Sequence, residues 1–128
     1  MKRANPARRA KEWARAYGSL ERVYYISNHL ACSVDYCFSR DIVNAHTETG
    51  GAGRKADAET VIPLCNLHHA EYHKGAKTFV ARYGIDLFGY AADTEMFWQL
   101  YGPDVVARAK ADGRYARWLA RHKESDET

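Results

Sequence analysis

The chain has 128 residues, 46% of them hydrophobic and 27% charged, with a formal net charge of +3. One domain with a modest core is expected at this length, and no apolar run approaches the ~20 residues that a membrane span needs. The basic start, Met1-Lys2-Arg3-Ala4-Asn5-Pro6, lacks the apolar stretch of a signal peptide. A cytoplasmic protein with reduced thiols is the expectation, and an odd count of three cysteines points to metal ligation rather than to a disulfide framework.

Residues 7–17 are good helix formers and predict a helix ended by Gly18-Ser19. Lys2, Arg3, Arg8, Arg9, Lys11, Arg15 and Arg22 crowd this first segment against two acids, Glu12 and Glu21. Clustered cations suit phosphate, and a solvated helix face accounts for them equally well. Residues 22–30 read as β-prone or loop-like, and 31–37 as a turn carrying Cys32 and Cys37. Residues 41–46 predict a short strand with Ile42, Asn44 and His46 on one face. A polar, Gly-rich loop follows over 47–59, then a second short strand over 60–63 ended by Pro63. A helix is expected from about Asn66 to Lys74, stopping at Gly75. Three more are expected over 76–83, over 86–101 with Asp86 as N-cap, and over 103–122, opening on Pro103 and bent or broken at Gly113. The aromatics of the last two, Phe88, Phe97, Trp98 and Tyr101, read as core; His29 and His122 read as plain surface residues, and residues from Glu124 as a frayed tail.

The chemistry concentrates in Cys65-Asn66-Leu67-His68-His69-Ala70-Glu71-Tyr72-His73. Cys65 and His68 have the Cys-x2-His spacing of a zinc knuckle, and with Cys32-x4-Cys37 they complete four ligands for a structural zinc. Ordinary buried thiols are the bland alternative for Cys32 and Cys37. His69 and His73, four apart, share one face of a helix and can hold a second, catalytic cation. His68 and His69 can exchange these roles, although only His69 has an i+4 partner and only His68 has the x2 spacing to Cys65.

The order is knuckle, strand with His46, Gly-rich loop, strand, then a helix with two histidines. This layout resembles the HNH nucleases, a treble-clef, ββα-metal fold. Asn44-Ala45-His46-Thr47, Gly50-Gly51-Ala52-Gly53-Arg54-Lys55-Ala56-Asp57 and Pro63-Leu64-Cys65 with His68-His69 and His73 are most similar to the small phage and prophage HNH proteins, which include recombination-associated nucleases. Arg15-Ala16-Tyr17-Gly18-Ser19 and Tyr83-Gly84-Ile85-Asp86-Leu87 extend the likeness over roughly residues 5–92.

The resemblance implies an α+β fold with a ββα-metal core at about 28–75, wrapped by a basic N-terminal helix over 7–17 and C-terminal helices over 76–122. It implies a structural Zn²⁺ on Cys32, Cys37, Cys65 and His68. It also implies a catalytic divalent metal, such as Mg²⁺, Mn²⁺ or Zn²⁺, on His69 and His73. His46 would be the general base. Arg54 and Lys55 would contact DNA phosphates, with Arg8, Arg9, Lys11 and Arg15 as a second footprint. The implied setting is a bacterial host cell, and a recombination or replication protein is the implied partner besides DNA.

Three departures stand out. Ala45 occupies the place where many HNH proteins have a metal-binding Asp or His. Thr60 stands where an Asn would orient the base, leaving Asn44 or Asp57 for that hydrogen bond. The first knuckle spans four residues rather than two. A zinc-stabilised nucleic-acid-binding module without catalysis, or a protein-interaction domain with only a structural metal, are the alternatives to the enzyme.

Overall fold

The computed structural model describes residues 6–47 and 58–127. Among them the chain forms an α+β fold of six α-helices and one two-stranded antiparallel sheet. The order is α1 (Pro6–Tyr17), α2 (Leu20–His29), β1 (Ile42–His46), a 3₁₀ turn (Ala58–Thr60), β2 (Val61–Cys65), α3 (Asn66–Lys74), α4 (Ala76–Tyr83), α5 (Leu87–Ala111) and α6 (Arg114–Glu127). No described helix is long and apolar enough to cross a membrane.

The segment expected to be β-prone is the helix α2. Ser19, in extended geometry, accepts a hydrogen bond at 3.1 Å from the Arg22 backbone N–H and caps it. Val23, Tyr24, Tyr25 and Ile26 are all buried between β1 and α5, so packing on two neighbours overrides the strand preference of Val, Tyr and Ile. Arg22, counted in sequence among the basic cluster, is 2% exposed and ion-paired to Glu95 of α5 at 2.9 Å. It is a tie between helices and is withdrawn from any phosphate surface.

β1 and β2 pair with Ile42 opposite Cys65 and His46 opposite Val61. Pro63 lies inside β2 rather than ending it, opposite Asn44. Its carbonyl turns away from β1 and accepts from the backbone N–H and hydroxyl of Ser33, at 2.9 and 2.8 Å. The missing N–H therefore faces the outer edge, and the ladder loses no bond. β2 is buried throughout. Ile62 and Leu64 join a core with Ile42, Ala45, Tyr72, Phe79 and Ile85; Val61 joins a second with Tyr24, Tyr25, Ile26, Val106 and Tyr115. Full burial of each such aliphatic side chain stabilises by about 1.5–3 kcal/mol.

Two helices expected as separate pieces are one. α5 runs through Pro103 and ends before Gly113, whose φ of 86° is the left-handed geometry of a break. Gly102 explains the continuity. A residue before proline is disfavoured in helix partly through its Cβ, which glycine lacks. A Cβ there would also lie 1.9 Å from the Trp98 ring, so Trp98 occupies the space. Several α5 side chains are not core: Phe88, Met96, Phe97, Leu100 and Tyr101 are exposed. His122 is likewise no plain surface residue, since it stacks on Trp118 with ring centroids 5.0 Å apart.

Candidate metal centre

Cys32, Cys37, Cys65 and His68 converge, with one ligand atom from each lying within 4.8 Å of all the others. Cys65 Sγ is 3.1 Å and Cys32 Sγ 3.5 Å from His68 Nδ1, and Cys37 Sγ is 3.9 Å from Cys65 Sγ. A tetrahedral ion with metal–sulfur bonds of about 2.3 Å and metal–nitrogen bonds of about 2.0 Å needs edges of about 3.8 and 3.5 Å. The cluster matches that size and can bind a metal ion.

Local structure sets each ligand. Cys65 ends β2 and is also the N-cap of α3, its sulfur accepting from the His68 backbone N–H at 3.4 Å. Its own N–H donates to Cys32 Sγ at 3.4 Å. The Ser33 bonds to Pro63 pin the first cysteine turn along the outer edge of β2. Tyr36, at φ 63°, folds the turn back so that the Cys37 N–H reaches the Val34 carbonyl. Burial pushes the Cys32 thiol up to about 11, whereas the Ser39 backbone N–H chiefly pulls Cys37 down to about 7. N–H donors favour the thiolate that a cation requires.

Tyr83 of α4 sets its ring edge against His68, with centroids 5.2 Å apart, and donates at 2.7 Å to Glu71, which also pairs with Arg82. The Tyr83 hydrogen bond, foremost, holds the Glu71 carboxyl below its usual range. Glu71 thus clamps α3 to α4 behind the cluster, a role its position inside the motif did not announce.

One residue on, α3 turns His69 away from the cluster and towards His73. Their Nε2 atoms are 2.9 Å apart, a separation that two ligands of one cation can share. Among the described residues no third His, Cys, Asp or Glu joins this pair within the same reach. Burial, then His73, then His46 lower the His69 pKa, so the β1 histidine and the α3 pair share one electrostatic neighbourhood. His46 Nε2 lies 2.5 Å from the Ala16 carbonyl at the end of α1, and its ring packs on Tyr17 at 4.6 Å. The carbonyl only accepts, so Nε2 carries a proton.

Asn44 does not orient His46. Its amide donates to the Val23 carbonyl at 3.3 Å and to Ser27 at 3.0 Å, tying β1 to α2. The Ala16 carbonyl takes the orienting position, and a backbone acceptor leaves no mark in a sequence. Arg8, Lys11 and Arg15 are exposed on α1, Arg8 in an i,i+4 pair with Glu12. Arg54, Lys55, Asp57 and the side chain of Arg9 lie outside the described residues. Comparison of the chain with family models, curated proteins and solved structures finds no match.

Proposed function

We propose that the protein is an HNH-type, metal-dependent endonuclease that hydrolyses DNA phosphodiester bonds, with β1, β2 and α3 as its ββα-metal core. The observation that carries this reading is the setting of His46. An Nε2–H bound to a backbone carbonyl leaves Nδ1 for the proton of the attacking water, in one electrostatic neighbourhood with a histidine pair on α3. A purely structural histidine needs no such neighbour.

In this reading His46 Nδ1 takes a proton from the attacking water. His69 and His73 would hold a divalent cation, which would supply charge stabilisation at the scissile phosphate and the 3′ leaving oxygen. Ala16 and Tyr17 hold the base in its orientation and tautomer. Cys32, Cys37, Cys65 and His68 carry a structural zinc, because three thiolates and one imidazole close the coordination shell. Arg8, Lys11 and Arg15 supply sequence-independent phosphate contacts on α1.

The two-residue catalytic ligand set favours one competitor, a zinc-stabilised DNA-binding module without turnover. A plasmid-nicking assay with Mg²⁺, Mn²⁺, Ni²⁺ or Zn²⁺, with and without EDTA, separates the two. The nuclease reading expects nicking that EDTA stops and that His46→Ala and His69→Ala both abolish. Plasmid retention in gels without nicking under any metal would leave the binding module.

A further inference from the structure

A second charged surface lies on the other side of α1, built from elements that the proposed catalysis does not use. Tyr24, Asn28 and His29 at the end of α2 and Arg114, Arg117, Trp118 and Arg121 of α6 line an open cleft of about 240 Å³. The three arginines stand at i, i+3 and i+7, so they form one stripe along α6. From Arg114 to Arg121 the helix rises about 10 Å. Asp112 accepts from the Arg114 backbone N–H at 3.0 Å and from its Nε at 2.7 Å, which orients that guanidinium. Arg117 and Arg121 are exposed; no carboxylate of the described residues lines the cleft itself, and Asp112 beside it acts on Arg117 as well as on Arg114.

The cleft is tied to the proposed catalytic centre through rings. Trp118 stacks on His122, His122 meets Trp13 of α1, Trp13 packs on Tyr17, and Tyr17 packs on His46, each contact between 4.6 and 6.4 Å. α1, with exposed Lys11 and Arg15, is therefore the bridge between His46 and the arginine stripe.

We propose that this cleft is a second binding site for the phosphodiester backbone of DNA, holding the duplex at a distance from the scissile bond. The proposal rests on the nuclease reading for its ligand, though not on cleavage. Guanidinium groups suit phosphate through paired N–H donors. Contacts to backbone phosphate carry no base information, so the site adds affinity without sequence preference.

The test compares the full chain with Arg117→Ala/Arg121→Ala and with Arg117→Lys/Arg121→Lys, after circular dichroism has verified folding. Duplex affinity is measured across a salt series. Two lost phosphate contacts should flatten the slope of log K against log [salt] by about 1.8, and the lysine pair should restore most of it. Nicking at saturating DNA should be unchanged, because neither arginine touches the reacting phosphate. An unchanged slope in the folded alanine pair would overturn the proposal. So would inorganic phosphate quenching Trp118 fluorescence at concentrations well below those that compete with duplex, which would mark a small-anion site instead. A flattened slope in a protein that never nicks would keep this site while removing the nuclease assignment.

Discussion

His46 commits one ring nitrogen to the Ala16 carbonyl, and the proposed mechanism uses the other, which separates two kinds of mutation. His46→Ala should keep the fold and DNA affinity yet lower the nicking rate by ~10²–10⁴-fold, the usual contribution of a positioned proton acceptor. Full activity in the folded variant would remove His46 from the mechanism. His69→Ala and His73→Ala should weaken binding of the catalytic metal in a Mn²⁺ titration while leaving the four-ligand metal in place; release of the latter by His69→Ala would reverse the roles of the adjacent histidines. His29 offers a third check. Burial first, and then the neighbouring Arg114, lower its pKa. Arg114→Gln should therefore raise the His29 midpoint seen by NMR; an unmoved midpoint would place Arg114 elsewhere. The Cys65–His68 half of the cluster was legible in the sequence because its spacing is local, and so was the approach of His69 to His73. The Ala16 carbonyl, the Asn44 tie to α2 and the Glu71 clamp were not, since each depends on which distant element arrives beside it.

At the scale of elements, local signals located the helix ends well. Asp86 caps α5 and Gly113 breaks the chain where their chemistry says they should, while Ser19, read only as the stop of the first helix, also caps the next. Tertiary packing decided the remainder. α2 is a helix because its aromatic and branched side chains are enclosed by β1 and α5, and Pro63 sits inside a strand because its free edge faces Ser33. Pro103 sits inside α5 beside a glycine that removes the usual obstacle. Gly102→Ala tests that explanation. Its methyl would collide with Trp98, which packs on Tyr25 with centroids 5.8 Å apart. Forcing a packed ring aside destabilises typically by 1–3 kcal/mol, so thermal unfolding of the metal-loaded protein should fall by several degrees. An unchanged melting temperature would mean that Trp98 has a second, equally good position.

For the whole molecule, the four-ligand cluster reinforces one hydrophobic core at its margin. It connects the turn after α2, the end of β2 and the start of α3, and three of its ligands adjoin the core around Leu64 and Phe79. Metal analysis should find about one tightly held zinc per chain, and chelation should unfold the protein, because binding free energy at a structural site is folding free energy. Cys65→Ser should be more damaging than Cys37→Ser. Cys65 is a ligand, a buried strand residue and a helix cap at once, whereas Cys37 sits at the partly exposed tip of its turn. A folded, zinc-free preparation would defeat the assignment.

The adjacency of His68 and His69 has a consequence of phase. Successive side chains on a helix are separated by about 100°, so one short axle carries the cluster's histidine and the His69–His73 pair at a fixed angle. Inserting a single residue between Cys65 and His68 would advance both histidines together: the cluster would meet a wrong side chain, and the pair facing His46 would rotate out of line. Cluster and pair are keyed to one shaft at its N-terminal end, so a change of length before His68 turns both, whereas one beyond His69 spares the cluster.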